Sequence, residues 1–182
     1  GEAVAVFGHR RLRERPPGGG VSVWCESVPV PGPLADASLR LLRALDWNGV
    51  AMVEYKTDSR TGTPVLLEIN GRFWGSLELA IAAGADFPRL LLAAALGEPV
   101  PPVREYRVGL RARWWWGEVD HVLARLRTPA DDLGLPSDAP SRLRAVWDFL
   151  TMWRPGTRGL VFRLDDPAPA LRDALAWMGR GR

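Results

Sequence analysis

Hydrophobic and polar residues alternate along several short segments of this 182-residue chain, and elsewhere apolar residues recur at helical spacing. Alternation and short apolar runs predict strands at 3–13, 21–30, 50–57, 64–70, 103–116 and 159–164. Helical spacing with flanking breaker residues predicts helices at 34–47, 76–83, 87–97, 118–127, 141–153 and 165–178. The two element types are mixed without regular alternation, which favours an α+β fold.

A proline cluster at 99–102 marks the predicted domain boundary. We therefore expect one domain at 1–102, with an antiparallel sheet and packed helices. Residues 103–182 are expected to form a mixed α/β C-terminal extension. No internal repeat is evident along the chain.

Composition narrows the function classes. The apolar fraction of 47% with 25% charged residues is ordinary for a globular protein. The net charge is +3, but the arginines are interspersed with acids and Lys56 is the one lysine, so nucleic-acid binding is disfavoured. Cys25 is the single cysteine, which predicts a reducing cytoplasm. The longest apolar run, 90–96, is too short to cross a membrane.

The most informative stretch is a predicted hairpin whose second strand ends on Glu68 and Asn70, two residues apart and therefore on one face. If paired residue numbers sum to 122, the loop centres on Thr61 and Glu54 lies directly opposite Glu68. Opposed carboxylates destabilise a sheet by some tenths of a kcal/mol. A cation between them would relieve this repulsion.

Magnesium suits such a position better than calcium or zinc. It accepts one or two carboxylates and completes its shell with water and phosphate oxygens. Glu54, Glu68 and the Asn70 carbonyl are hard oxygen ligands, whereas the histidines and the cysteine show no zinc-ligand spacing. Arg72, two residues after Asn70, is expected beside the site, where it could grip a phosphate.

The alternative is an exposed hairpin face on which Lys56 and Arg72 are solvated partners of the two acids. Against it, strand alternation places Val50, Met52 and Leu66 on the same face as the acids. A half-apolar face ending in carboxylates is more typical of the floor of a cleft.

For four other segments, both a functional and a purely structural interpretation stay open. His9, Arg11 and the neighbouring arginines would bind a substrate carboxylate or phosphate, or would form a solvated basic edge. Residues 16–20, PPGGG, form either a mobile lid or a plain connection. Gly75 and Ser76 would present amides to an anion, or Ser76 would simply cap a helix. The tryptophans at 114–116 would stack on a base or pack the extension.

Residues 49–88 resemble the C-terminal part of an ATP-grasp domain, in which a strand ends in an acid, a hairpin follows, and the next strand ends in Glu-x-Asn. Residues 9–20 resemble the segment before this hairpin in carbamoyl-phosphate-synthase-like and carboxylate–amine-ligase-like members. The resemblance covers residues 1–100 well. By this resemblance Glu54, Glu68 and Asn70 are the metal positions and Arg72 is catalytic.

The resemblance implies an ATP- and Mg²⁺-dependent (or Mn²⁺-dependent) ligase. Such an enzyme converts a small-molecule carboxylate into an acyl phosphate, which an amine or similar nucleophile attacks. The nucleotide- and substrate-binding candidates are His9, Arg11, Lys56, Gly75 and Ser76. In place of residues that relatives often carry, an arginine and a proline, this chain has Met52 and Gly71.

The family's N-terminal half, with its phosphate-binding lysines, would lie upstream of Gly1, and Lys56 cannot replace those lysines by position. We therefore expect the missing half as a partner and no ATP turnover by this chain alone. The alternatives are a non-catalytic remnant or partner-binding domain, and, ranked lowest, a nucleic-acid-binding module.

Overall fold

A computed structural model of the chain describes residues 2–58, 60–135, 139–151 and 156–179. The strands are β1 (Gly8–Arg15), β2 (Val21–Val28), β3 (Met52–Thr57), β4 (Pro64–Asn70), β5 (Arg111–Arg113) and β6 (Thr157–Gly159). The helices are α1 (Gly32–Ala44), α2 (Leu77–Ala83), α3 (Phe87–Ala95), α4 (Trp115–Arg127), α5 (Arg142–Leu150) and α6 (Ala168–Gly179). The result is a mixed α/β protein with antiparallel strand pairs and helices, as predicted.

The chain forms two compact units, each built from two segments. The first unit contains Gly1–Gly8 and Pro29–Tyr106, and the second contains His9–Val28 and Arg107–Arg182. The β1–β2 segment therefore groups with the C-terminal part of the chain. The domain boundary after residue 102 stays a prediction.

The first unit holds the two-stranded sheet β3–β4 and helices α1, α2 and α3. Its core centres on Trp74, whose ring meets Phe87 edge to face with centroids 5.3 Å apart. Helix α2 ends at Gly84, whose φ of 107° is a left-handed conformation that glycine adopts without strain. The Asp86 side chain then caps α3 by accepting a hydrogen bond from the Arg89 amide.

The second unit contains a four-stranded sheet in the order β1-β2-β5-β6. Strand β5 pairs antiparallel with β2 and parallel with β6. Helix α4 packs on β2 at Gly117, where an added Cβ would lie 2.5 Å from a methyl carbon of Val23. A side chain at this position would therefore hold the helix away from the sheet.

Several predicted elements differ in extent. The strands predicted at 103–116 and 159–164 shrink to Arg111–Arg113 and Thr157–Gly159, and the first strand runs from Gly8 to Arg15 instead of 3–13. Trp115 and Trp116 belong to α4, because tertiary packing overrides the extended preference of aromatic residues. Residues 152 and 153, the predicted end of α5, lie outside the described residues. Within the described residues, no helix combines the length and the hydropathy that a membrane span requires.

Candidate metal and nucleotide site

The β3–β4 hairpin places the two acids opposite each other. Met52 pairs with Asn70, Val53 with Ile69, and Glu54 with Glu68 in an antiparallel ladder. This is the predicted register, and it is confirmed along the half of the hairpin that carries the candidate ligands. Directly paired residues project on the same side of a sheet, so both carboxylates share one face.

A β-bulge changes the remainder of the hairpin. The register shifts between Glu54 and Tyr55, so that Tyr55 pairs with Leu66 and Leu67 has no partner across the ladder. Leu66 therefore lies on the Tyr55 side, and its predicted place beside Glu68 is wrong. Val65, Leu66 and Leu67 are 54%, 42% and 54% exposed. Of the three apolar residues predicted to share the face of the acids, Leu66 is therefore excluded, whereas Val50 and Met52 are half-buried and pack against the core around Trp74.

Asn70 is tied to Glu68 within the candidate ligand set. Its amide nitrogen Nδ2 donates a hydrogen bond to Glu68 Oε1 at 2.7 Å. The bond orients both side chains and leaves Asn70 Oδ1 available as a further oxygen ligand for a metal ion. Glu68 is exposed, whereas Glu54 and Asn70 are half-buried.

This donor set fits a hard divalent cation. Two carboxylates that face each other and one amide oxygen match the ligands that magnesium takes from proteins, with water and phosphate completing its shell. Within the described part of the chain, no group of three or more His, Cys, Asp or Glu side chains is arranged to hold a metal. The candidate set contains only two acids, so the remaining ligands must be the amide, water or phosphate.

The segment after β4 carries Arg72, which is exposed and donates from Nη1 to the carbonyl of Phe73 at 3.1 Å. Gly71 lies under the indole of Trp47, where an added Cβ would be 2.2 Å from the ring. This contact gives a physical reason for glycine at position 71.

The other candidates of the first unit are spread along the hairpin and the start of α2. Lys56 is exposed beyond the bulge, where it pairs with Val65. Gly75 is exposed and Ser76 is buried. Ser76 is the residue before α2, but its side chain makes no capping hydrogen bond, so that expectation is wrong.

His9 and Arg11 belong to β1 in the second unit. Burial, aided by the charge of Arg11, lowers the pKa of His9 from 6.5 to about 4, so His9 is neutral at pH 7. Arg11 Nη1 donates to Glu14 Oε1 and to the Gly20 carbonyl, both at 2.9 Å. The Arg11 guanidinium therefore already has acceptors within its own hairpin.

The neighbouring arginines of β1 differ in exposure, since the Arg10 side chain is 63% exposed and Arg13 is buried. Arg10 donates to Glu26 Oε2 at 2.6 Å from its Nη2. The PPGGG segment connects β1 to β2. At Gly18 it lies against the Leu133 carbonyl, where an added Cβ would be 2.0 Å from the oxygen.

The sequence matches a known protein family over most of its first two thirds. The family model described as "ATP-grasp in the biosynthetic pathway with Ter operon" matches residues 10–117, more than half of the chain. The chain belongs to this ATP-grasp family. No curated protein and no solved structure gives a significant match. Membership makes it a domain of the ATP-dependent ligase type. The matched region begins inside β1 and includes β2 and the β3–β4 hairpin.

The second unit of this ATP-grasp chain holds a buried charge cluster that the sequence analysis missed. Arg13 Nη1 donates to Glu118 Oε2 at 2.8 Å, and its Nη2 lies 3.2 Å from Asp148 Oδ2. The Arg113 guanidinium lies 3.7 Å from the centroid of the Trp24 ring, a cation–π contact. The available signal was Glu118, an acid in the first turn of an amphipathic helix, but such acids usually face solvent.

The three consecutive tryptophans of the ATP-grasp chain pack within the second unit. Trp114 Nε1 donates to Asp173 at 2.6 Å, and Trp116 stacks on Trp177 with centroids 4.5 Å apart. Trp115 contacts Phe149. These contacts favour the packing alternative over base stacking.

Proposed function

We propose that this chain supplies the metal-binding portion of an ATP- and magnesium-dependent carboxylate ligase. The observation that carries the proposal is the direct pairing of Glu54 with Glu68, with Asn70 hydrogen-bonded to the latter. Like charges placed face to face on an isolated hairpin lower stability. The arrangement is explained if a cation lies between them during function.

In the proposed reaction, ATP transfers its γ-phosphoryl group to a small-molecule carboxylate, which gives ADP and an acyl phosphate. An amine or similar nucleophile then attacks the acyl carbon, and inorganic phosphate leaves. Such transfers depend mainly on positioning and on electrostatic stabilisation of the phosphoryl oxygens. Mg²⁺ or Mn²⁺, held by Glu54, Glu68 and Asn70, would neutralise phosphate charge when bound.

We assign Arg72 the catalytic role of contacting the travelling phosphate. It is exposed, and its contact to the Phe73 carbonyl leaves other guanidinium N–H groups for a bidentate interaction. Lys56, Gly75 and Ser76 are proposed nucleotide or substrate contacts on the same unit. We propose separately that Arg11 and the neutral His9, which lie in the second unit, bind a substrate carboxylate or phosphate. The buried thiol of Cys25 fits the proposed cytoplasmic location.

The metal assignment is tested on the chain itself by titrating Mn²⁺, followed by electron paramagnetic resonance, with and without ATP. Glu68→Gln keeps the hydrogen-bond acceptor for Asn70 but removes one ligand charge, so we expect at least tenfold weaker Mn²⁺ binding. Glu98→Gln is the matched control, because Glu98 is an exposed acid outside the hairpin. Equal Mn²⁺ affinity in the Glu68→Gln and wild-type chains would show that the acids are an exposed strand end.

The catalytic assignment is tested on the chain joined to the N-terminal half that the family resemblance leads us to expect. There, loss of one electrostatic contact to the transferring group typically costs about two to three decades in rate. We expect Arg72→Ala to slow ADP release by about this factor and to leave Mn²⁺ affinity unchanged. An equal effect of Arg72→Ala on Mn²⁺ binding would instead assign Arg72 to the architecture of the site.

A further inference from the structure

The second unit contains an open cavity of about 630 Å³ between the end of β1, helix α4 and the end of α6. Cavities of roughly 300–1,000 Å³ that are mostly apolar and carry a few polar groups are the usual form of small-molecule sites. Neither the hairpin acids nor the other proposed nucleotide contacts line it, so it requires its own explanation.

The cavity walls are apolar and one of them is a fixed aromatic surface. Leu123, Ala124 and Met178 line it, together with the ring of Trp177. That ring is held in place twice: it stacks on Trp116 at an interplanar angle of 21°, and its Nε1 donates to Asp120 Oδ1 at 2.7 Å. A ring fixed in this way is suited to contact a planar aromatic ligand.

The cavity lining carries more positive than negative charge. Arg15 Nε lies 2.7 Å from Asp120 Oδ2, so the one acid in the lining is neutralised by an arginine of the same lining. Arg127 also lines the cavity and is exposed. Among the described residues it makes no ion pair or hydrogen bond, which leaves one cationic guanidinium at the edge of an aromatic cavity.

We propose that this cavity binds a small aromatic carboxylate, with its ring against Trp177 and its carboxylate on Arg127. A planar ring covers the apolar wall, and a carboxylate matches the fork of N–H donors on a guanidinium. A neutral aromatic would leave the guanidinium without a counter-charge. An aromatic cation would be repelled by Arg127, because Asp120 is already paired.

The test uses 2-naphthoate and its neutral analogue 2-naphthamide as probes of the whole chain, with binding measured by ligand-observed NMR titration. A Kd of about 1 mM for the carboxylate follows from the efficiency usual for ligands of this size. We expect the amide to bind roughly tenfold more weakly, as is usual when a hydrogen bond to a charged group is lost. Arg127→Gln should remove this preference.

Two further variants complete the test. Arg172→Gln changes an exposed arginine of α6 that does not line the cavity, and it should keep the carboxylate preference. Ala124→Phe places a ring inside the cavity and should abolish binding of both probes. The proposal is overturned if neither probe binds at 5 mM, if both bind wild type equally, or if Arg127→Gln keeps the preference. Since Arg127 is exposed, that variant is expected to fold, which far-ultraviolet circular dichroism verifies.

Discussion

Arg13 Nη1 donates a hydrogen bond to Glu118 Oε2 across 2.8 Å, although the two residues are 105 positions apart in the chain. Their side chains are only 6% and 0% exposed. The bond joins β1 to α4 inside the second unit, and Asp148 from α5 approaches the same guanidinium. Ion pairs of this kind are costly to break, because the remaining charge stays buried without compensation.

Replacing Glu118 by glutamine should therefore destabilise the protein. Glutamine keeps the size of the side chain but leaves Arg13 and Arg113 with less negative charge. We expect the free energy of unfolding to fall by about 3 kcal/mol, the lower end of what breaking a buried pair costs. Urea unfolding measures this, with Glu98→Gln as the exposed control. Burial raises the pKa of Glu118, and a loss below about 1 kcal/mol would contradict a charged Glu118 in this pair.

The titration of His9 should contribute to the pH dependence of stability. Its pKa falls from 6.5 in the unfolded chain to about 4 in the folded protein, so between these values the unfolded state binds more protons. Stability must then rise with pH from 4 to 6.5 and fall as the solution is acidified through the same window. This pKa shift corresponds to at most about 3 kcal/mol of the free energy of unfolding. The actual contribution is smaller, because the ring is only partly buried.

Thermal melts of wild type and His9→Gln between pH 4 and 7.5 isolate this contribution. The His121 pKa is also lowered, chiefly by burial, so a pH dependence remains in the variant. The difference between the two curves should therefore grow across the window and level off above it. Parallel curves would show that His9 titrates normally in the folded protein.

Gly117→Ala should weaken the contact between α4 and β2. The added methyl group would lie 2.5 Å from carbon atoms of Val23 and Trp114, and such overpacking typically costs about 1–3 kcal/mol. The gain of up to about 1 kcal/mol from better helix propensity offsets part of it. Gly32→Ala in α1 meets no atom within 4 Å and serves as the control, with unchanged or slightly higher stability. Equal unfolding midpoints for the two variants would contradict the close approach.

Glu68→Gln should have opposite effects on stability and on cation binding. Without divalent cations the substitution removes repulsion from Glu54, and stability is expected to hold or rise by a few tenths of a kcal/mol. Melts in the presence of a chelator measure this difference. A clear loss of stability would indicate that the Glu68 charge serves the fold, and not a ligand.

The sequence predicted the hairpin well because its evidence is local. The turn-rich loop between two apolar strands indicated a hairpin, and the assumption that the loop centres on Thr61 placed Glu54 opposite Glu68, as observed. The bulge at Leu67 was not predictable, since Val65, Leu66 and Leu67 are all apolar and show no alternation whose phase could reveal an extra residue.

Contacts between residues far apart in the chain could not be predicted from the sequence. Nothing near Arg13 indicates an acid more than one hundred residues later, and an acid in the first turn of α4 is ordinarily exposed. The run from Arg111 to Trp116 reads as one strand, yet it divides into a three-residue strand and the start of a helix. Tertiary packing, and not local preference, decides such segments.

The unpaired Leu67 has a consequence for comparing this chain with its relatives. Because it absorbs one residue of length without changing any pairing, a relative that lacks it would be one residue shorter and would still align Glu54 with Glu68 and Tyr55 with Leu66. Length differences in the hairpin should thus be tolerated on the turn side of Glu68. An insertion or deletion between Glu68 and Asn70 would instead move one of them to the opposite face, so that spacing should be invariant wherever the cation site is retained.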